Sequence, residues 1–366
     1  MFGRAWRIGS IGGIAIRVDS SWAIMAVLVT YSLFLRFTFQ YRELENLPAF
    51  GLAVFAAILF FGSVLGHELA HAGMARARGI AVSGITLFLF GGATSARVED
   101  RGPGDEFLIT AVGPGSSLAL AGGFWALAAA LDSVGGRLDE ALRYVAGVNL
   151  ILAGFNLVPG FPLDGGRILR SAIWKITGSL EKATRVAGWS GQIVGALLIA
   201  TGIAAAVRDD LPLAIWLAFI GWFLLRAARS AVYQLQLRRF LAEGQVGEAM
   251  SPPPPAVPAE LSLSDSLDRY LAGNERAQFP VVDGERLVGV LTFDSARRIG
   301  RDDPLRSVRD AMVPLSKVTT VDADESLDRV IEQLSDGASA LVVRAGQLVG
   351  SISGADVSRW ARTRGV

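Results

Sequence analysis

The sequence predicts an α-helical polytopic membrane domain followed by a soluble α+β region. Of the 366 residues, 51% are hydrophobic and only 19% are charged, and the mean hydropathy is +0.42. This composition is more apolar than that of an ordinary soluble protein. The long apolar stretches all lie before about residue 231, and the rest of the chain is charged and mixed. The two parts are therefore expected to lie in different solvents.

Composition also limits the kinds of function that are open to the chain. The formal net charge of +1 argues against a broad nucleic-acid surface, which needs a clear excess of Lys and Arg. The chain has no cysteine, which excludes disulfides, thiolate metal sites and cysteine nucleophiles. Any metal ligands must therefore be His, Asp or Glu.

Six apolar stretches approach the ~20 residues that a helix needs to cross a bilayer. They cover residues 20–37, 51–73, 107–131, 142–159, 187–207 and 212–231. Asn156 and Pro159 interrupt the end of the fourth stretch. Most arginines lie in loops on one side, whereas the loops near 38–49, 132–141 and 208–211 hold few basic residues. This asymmetry predicts that both termini are cytoplasmic.

The segment between the second and third stretches has a different pattern. Ile85 and Leu87 alternate with Thr86 and Phe88 ahead of Gly91–Gly92, which indicates extended backbone over 85–90. A re-entrant hairpin would have this pattern. Strand at membrane depth has to pair or to line a cavity. A short apolar loop packed on the helices fits the same pattern, and both interpretations stay open.

The strongest local pattern is His67-Glu68-Leu-Ala-His71, inside the second apolar stretch. Residues four apart lie on one helix face, so both imidazoles can reach one ion. These are the chain's only two histidines, and burying them with a glutamate in a span is unfavourable without a function. Two imidazoles, a carboxylate and one open position suit Zn²⁺, with Glu68 as a catalytic acid/base that is not a ligand.

A third ligand is needed, and Asp164 is the best candidate. The second stretch runs towards the cytoplasm and ends just past His71, and the fourth runs the same way and ends just before Asp164. The two positions are therefore expected at matching depth. Asp164 could instead cap the helix that follows it or pair with Arg167, and the residues alone leave these roles open.

Together these residues resemble the site-2 protease family of intramembrane zinc metalloproteases. The likeness rests on His67-Glu-x-x-His71 combined with Asn156-x-x-Pro-x-x-Pro-Leu-Asp164-Gly-Gly. It implies that Asp164 is the third zinc ligand and that Asn156 holds substrate backbone or the developing oxyanion. It further implies that Gly91 and Gly92 belong to a strand that holds extended substrate. Gly113-Pro-Gly-Ser-Ser117 resembles the family's small-residue packing motif.

The soluble region is a tandem duplication. Val246-Gly-Glu-Ala-Met250 recurs as Val308-Arg-Asp-Ala-Met312, and Ser266-Leu-Asp-Arg269 recurs as Ser326-Leu-Asp-Arg329. Each copy has the pattern helix, strand, turn, strand, helix, typical of a small α+β module. The predicted domains are accordingly the membrane domain over 1–240 and the two copies over 241–300 and 301–366.

The duplication is similar to tandem cystathionine-β-synthase (CBS) domains, which commonly bind adenine nucleotides and form dimers. In the second copy Ser353 precedes Asp356 by three residues, the spacing of a hydroxyl before a ribose-binding aspartate. In the first copy Thr292 and Asp294 are one residue too close. The resemblance implies one competent site for ATP or AMP. A pair that only dimerises or docks on the protease domain is the alternative.

The predicted function is hydrolysis of membrane-spanning proteins by a zinc metalloprotease that the CBS pair regulates. Its partners would be the lipid bilayer, a membrane-protein substrate, an adenine nucleotide and a second copy of the chain. A nucleotide-regulated transporter is the main rival, but it should show two related halves in its membrane part, and none is visible. An inactive substrate-binding relative is a second rival, against which the intact Glu68 argues.

Overall fold

The computed structural model describes residues 5–41, 45–88, 91–94, 101–132, 137–272, 278–284, 286–301, 303–334, 339–345 and 347–364. The chain forms two compact units, Met1–Tyr233 and Gln234–Val366. In its described residues the first unit is mostly helical with one sheet, and the second combines short helices with two sheets.

Long helices dominate the first unit. They are α1 (Ser20–Gln40), α2 (Asn46–Ala77), α3 (Pro103–Leu131), α4 (Leu138–Asn156), α5 (Asp164–Thr177), α6 (Leu180–Val207) and α7 (Leu211–Glu243), whose last residues belong to the second unit. Within the described residues five of these, α1, α2, α3, α6 and α7, are long and apolar enough to cross a membrane. They correspond to five of the six predicted spans.

The fourth predicted span is the exception. It forms α4, a helix of 19 residues that would extend over about 28 Å at the usual rise of ~1.5 Å per residue. Charged Asp139, Glu140 and Arg143 lie in its first half, and this leaves α4 outside the five most apolar helices. It packs against α3 and α2, with Asn149 buried and bonded to Ser63 of α2 at 3.1 Å. The buried Asn149 of α4 is thus met by a side chain of another helix.

A four-stranded sheet lies against the helices. Its strands are β1 (Trp6–Ile11), β2 (Ile14–Val18), β3 (Gly84–Phe88) and β4 (Gly91–Thr94), in the order β1-β2-β3-β4. The extended backbone predicted for 85–90 is found through Phe88, and residues 89–90 lie outside the described part. The β1–β2 hairpin was not predicted from the sequence. Its turn uses Gly12 and Gly13, which have positive φ angles of 55° and 76° that favour glycine.

A buried ion pair joins α3 to α5. Glu106 is fully buried and Arg170 is 7% exposed, and Arg170 donates from Nε to Glu106 Oε1 at 2.8 Å and from Nη2 to the same oxygen. Removing one partner of such a pair leaves an uncompensated buried charge, which costs roughly 3–5 kcal/mol. The pair therefore fixes the position of α5 against α3.

The second unit contains two similar halves. The first half holds α8 (Val246–Ala249), β5 (Val257–Pro258), α9 (Leu263–Ser266), β6 (Gln278–Asp283), β7 (Arg286–Thr292) and α10 (Phe293–Gly300), with a π-helical turn over Leu267–Leu271. The second holds α11 (Val308–Ala311), β8 (Val313–Pro314), β9 (Thr320–Asp322), α12 (Leu327–Gln333), β10 (Ser339–Arg344), β11 (Gln347–Ser353) and α13 (Gly354–Thr363), with a 3-10 turn over Leu315–Lys317. There are two apolar cores, and the first helix of each half packs in the core of the other half: α8 with the second half and α11 with the first.

Candidate functional site

The three predicted metal ligands meet inside the first unit. His67 and His71 lie one turn apart on α2, and their Nε2 atoms are 3.1 Å apart. Asp164 Oδ2 lies 3.1 Å from Nε2 of His67 and 3.2 Å from Nε2 of His71. Both imidazoles are buried. Among the side chains that the structure describes, this is the only group of three or more metal-ligating residues gathered so closely.

The spacing of the three donor atoms fits zinc. Donors bound at ~2.0–2.1 Å from Zn²⁺ in tetrahedral geometry are roughly 3.3 Å from one another. The three observed separations, 3.1, 3.1 and 3.2 Å, are close to that value. The residues present can therefore occupy one face of a zinc tetrahedron and leave a fourth position for water or substrate.

Hydrogen bonding is consistent with a positive charge, a proton or a metal ion, among these atoms. His71 Nδ1 lies 2.7 Å from the carbonyl oxygen of Ile109, and a carbonyl can only accept, so Nδ1 carries the ring proton. In the neutral ring Nε2 then presents a lone pair to His67 Nε2 and to the Asp164 carboxylate. Lone pairs this close repel one another in a buried site unless a positive charge lies between them.

The start of α5 places Asp164. Leu163 occupies the N-cap position, and Asp164 is the first helical residue, so Asp164 does not cap the helix. Arg167 lies 3.8 Å from Glu106 Oε1. A Cβ on Gly166 would lie 2.3 Å from the carbonyl carbon of Gly160, so only glycine permits this approach. Asp164 therefore contacts the two imidazoles, and the N-cap position that was the alternative for it is held by Leu163.

A cavity of about 350 Å³ opens beside the donor atoms. Its polar lining includes Glu68, Asn156, Asp164 and the backbone at Gly91–Gly92, which the sequence places far apart. Its apolar walls are formed by Val64, Phe88, Leu152, Phe155, Trp216, Ile220, Phe223 and Leu224, among others. The structure thus brings every residue predicted for the protease site to one place.

Two glycines allow backbone to approach this site. A Cβ on Gly92 would lie 2.3 Å from Cγ of Glu68, and one on Gly113 would lie 2.2 Å from Nε2 of His71. Ser117, one turn beyond Gly113 on α3, has its Oγ 3.0 Å from Nδ1 of His67. The segment predicted as a packing motif therefore contacts the imidazoles directly. The contacts of Ile109, Glu106 and Arg170 were not predicted from the sequence.

In the second CBS copy, Asp356 is engaged by the chain itself. Its Oδ2 accepts from the backbone N–H and the hydroxyl of Ser353 at 3.0 and 2.6 Å. Its Oδ1 accepts from Ser251 Oγ at 2.6 Å and pairs with Arg359 at 3.1 Å. Burial by itself would raise the pKa of Asp356, but hydrogen bonds from Ser251 and Ser353 outweigh it and hold the pKa below its ordinary value.

The first copy differs at the matching position. Thr292 caps α10 and shares its capping box with Ser295, whereas in α13 that third position is Asp356. Asp294 lies outside the capping box and lines a surface cavity of about 430 Å³ with Arg297, Arg298 and Arg301. The first copy therefore offers a hydroxyl where the second offers a carboxylate.

Comparison with known proteins agrees with this arrangement. The model of peptidase family M50 matches residues 131–201, which include Asn156 and Asp164. A Mycobacterium tuberculosis (strain H37Rv) relative, named as zinc metalloprotease Rip3, is 34% identical over 362 residues, covering 96% of this chain and 91% of the relative. The chain belongs to peptidase family M50. This chain also matches the CBS domain model at 246–301 and 308–362, so the predicted CBS pair is confirmed.

Two further relatives extend the comparison. The zinc metalloprotease sll0528 of Synechocystis sp. (strain PCC 6803) is 34% identical over 370 residues, covering 98% of this chain and 95% of the relative. The solved Site-2 Protease from Methanocaldococcus jannaschii is 25% identical with a TM-score of 0.43, covering 63% of this chain and 95% of that one. The curated relatives confirm the predicted metalloprotease class, and a transporter is not favoured.

Proposed function

We propose that His67, His71 and Asp164 hold one zinc ion and that Glu68 is the acid/base that cleaves membrane-spanning proteins. The carrying observation is the convergence of three donor atoms at 3.1–3.2 Å beside a cavity that Glu68 also lines. Family membership supplies the reaction class, and the cavity's apolar walls suit the side chains of a transmembrane substrate.

The residues around the cavity have complementary roles. Zinc, when bound, polarises the scissile carbonyl and makes the attacking water more acidic. Glu68 accepts a proton from that water and later donates it to the leaving amine. The Asn156 amide donates a hydrogen bond to the developing negative charge on the carbonyl oxygen. The apolar walls exclude bulk water, which strengthens these polar interactions.

Glu68→Gln tests the assigned chemistry. The amide cannot accept the proton, so the cleavage rate of a membrane-spanning reporter in liposomes is expected to fall by roughly 10²–10⁴-fold. Zinc content should stay at one per chain, since Glu68 is not a ligand. Glu181→Gln, a glutamate on α6 outside the residues that line the cavity, is the matched control. Wild-type turnover by Glu68→Gln would reject the mechanism, and zinc loss would make Glu68 a ligand.

The substrate is proposed to bind as an added strand. A helical substrate keeps its carbonyls in hydrogen bonds and has to unwind before cleavage. In the described residues β4 is an edge strand that pairs with β3 alone, and its Gly91 and Gly92 line the cavity. Pairing with β4 would satisfy the backbone that unwinding exposes.

Backbone N-methylation of the substrate tests this binding mode. Alternate residues of a strand direct their N–H groups to the same edge, so methylating one set should lower kcat/KM at least about tenfold per lost bond and its clash. Methylating the other set serves as the control. Equal effects of both sets would contradict strand addition.

The chain is a membrane protein, and we further propose that it crosses the plasma membrane several times with both termini in the cytoplasm. The support is the loop charge together with the five apolar helices. Because the chain lacks cysteine, Lys182→Cys and Arg208→Cys, at opposite ends of α6, can each be labelled alone. An impermeant maleimide added to intact cells should label only Arg208→Cys. The reverse pattern would invert the proposed orientation.

We also propose that the second CBS copy binds an adenine nucleotide, ATP or AMP, and that the pair forms homodimers. Asp356 is already ionised and aimed at hydroxyl donors, with Ser251 at 2.6 Å. The ribose hydroxyls would take over the bonds that Ser251 and Arg359 now make. The Ser251 contact would thus compete with the ligand.

Calorimetric titration of the full chain with ATP and AMP tests this site. Asp356→Asn should weaken binding by at least about tenfold, because a charged hydrogen-bond acceptor is lost. Ser251→Ala should tighten binding, and Asp294→Asn should leave it unchanged. Nucleotide binding that depends on Asp294 and not on Asp356 would refute the assignment. The mass of the detergent-solubilised chain should be that of a dimer, and a monomer would refute the pairing.

A further inference from the structure

One face of α3 touches both imidazoles. Ile109, Gly113 and Ser117 follow one another at intervals of four residues and so lie along a single helix face. The Ile109 carbonyl meets His71 Nδ1 at 2.7 Å, and Ser117 Oγ meets His67 Nδ1 at 3.0 Å. In both rings α3 therefore contacts the nitrogen opposite the one that faces Asp164.

Gly113 lies between these two contacts. A Cβ at this position would lie 2.2 Å from Nε2 of His71 and 2.8 Å from Nε2 of His67. It would therefore occupy the space at the donor atoms themselves. The glycine lets α3 come close enough for Ser117 and the Ile109 carbonyl to reach the rings.

Ser117 differs from Ile109 in what it can do. A carbonyl only accepts, whereas a hydroxyl can either donate or accept. If Ser117 donated, His67 Nδ1 would be unprotonated and the ring proton would sit on Nε2, among the three donor atoms. If Ser117 accepts, Nδ1 holds the proton and Nε2 keeps its lone pair. Ser117 is fully buried, so bulk water is absent as a substitute acceptor.

We propose that Ser117 is a positioning residue that holds the Nδ1–H tautomer of His67 and thereby directs Nε2 to the metal. The inference rests on the proposed zinc site and adds to it the residue that selects the coordinating nitrogen. Hydrogen bonds to the far nitrogen of a ligating histidine fix its orientation and raise its basicity.

The neighbouring serine provides a contrast. Ser116 donates its hydroxyl to the Gly113 carbonyl at 2.7 Å within the same helix, a local bond that serves the helix alone. If residue 117 only had to be small, alanine would replace it as well at 117 as at 116. The packing role and the positioning role thus predict different results for the two positions.

Metal titration of the purified full chain separates them. Ser117→Ala is expected to weaken Zn²⁺ and Co²⁺ binding by about 10–100-fold and to change the visible spectrum of the Co²⁺ form. Ser116→Ala should match the wild type in both measurements. Wild-type affinity and spectrum in Ser117→Ala, or equal losses in both variants, would overturn the proposal.

A second measurement needs no substitution and so does not depend on whether a variant folds. With only two histidines, ¹⁵N-histidine labelling gives a spectrum of two rings. In the zinc-loaded wild type both rings should carry the proton on Nδ1 and the metal on Nε2. Coordination of either ring through Nδ1 would refute the role of α3. Failure of the wild type to bind zinc would refute the zinc site itself and the inference with it, whereas zinc binding unaffected by Ser117→Ala would refute the inference alone.

Discussion

Three electron-pair donors, on His67, His71 and Asp164, face one another at 3.1–3.2 Å inside the first unit. Much of the surrounding structure holds them there. Buried polar atoms are stable only when their partners are supplied. The rings are held from behind by α3, through the Ile109 carbonyl and Ser117. The carboxylate is carried by the first residue of α5, which the Glu106–Arg170 pair ties to the same helix. Helix α3 therefore organises both halves of the donor set.

The cavity follows from this arrangement. Because β4 passes so close to Glu68 that Gly92 has no room for a Cβ, the edge of the sheet runs beside Glu68, the proposed acid/base, and beside the donor atoms. Asn156 arrives at the end of α4, eight positions before Asp164. A substrate strand paired with β4, as proposed, would lie along the cavity that Glu68, Asn156 and Asp164 line.

Much of the site could be predicted from the sequence because its strongest parts are local. His67, Glu68 and His71 share one helix turn, and Asp164, the predicted third ligand, lies within 3.2 Å of both imidazoles. The buried Glu106–Arg170 pair could not be foreseen, since its members are 64 residues apart and only the packing of α3 on α5 joins them. The β1–β2 hairpin was missed because its short strands complete a sheet with β3, far along the chain. In the CBS pair, Ser251 reaches Asp356 across 105 positions, a contact that the motif does not contain.

The most direct test of the proposed zinc site is zinc K-edge X-ray absorption on the purified chain. We expect one zinc per chain, bound by two imidazole nitrogens and by oxygen atoms at roughly 2.0–2.2 Å in a four-coordinate shell. In a His71→Ala chain the number of imidazole rings around zinc should fall by one, and zinc should bind more weakly. A shell of oxygen atoms alone, or a zinc shell that is unchanged when His71 is removed, would contradict the proposal that α2 and α5 together hold the metal.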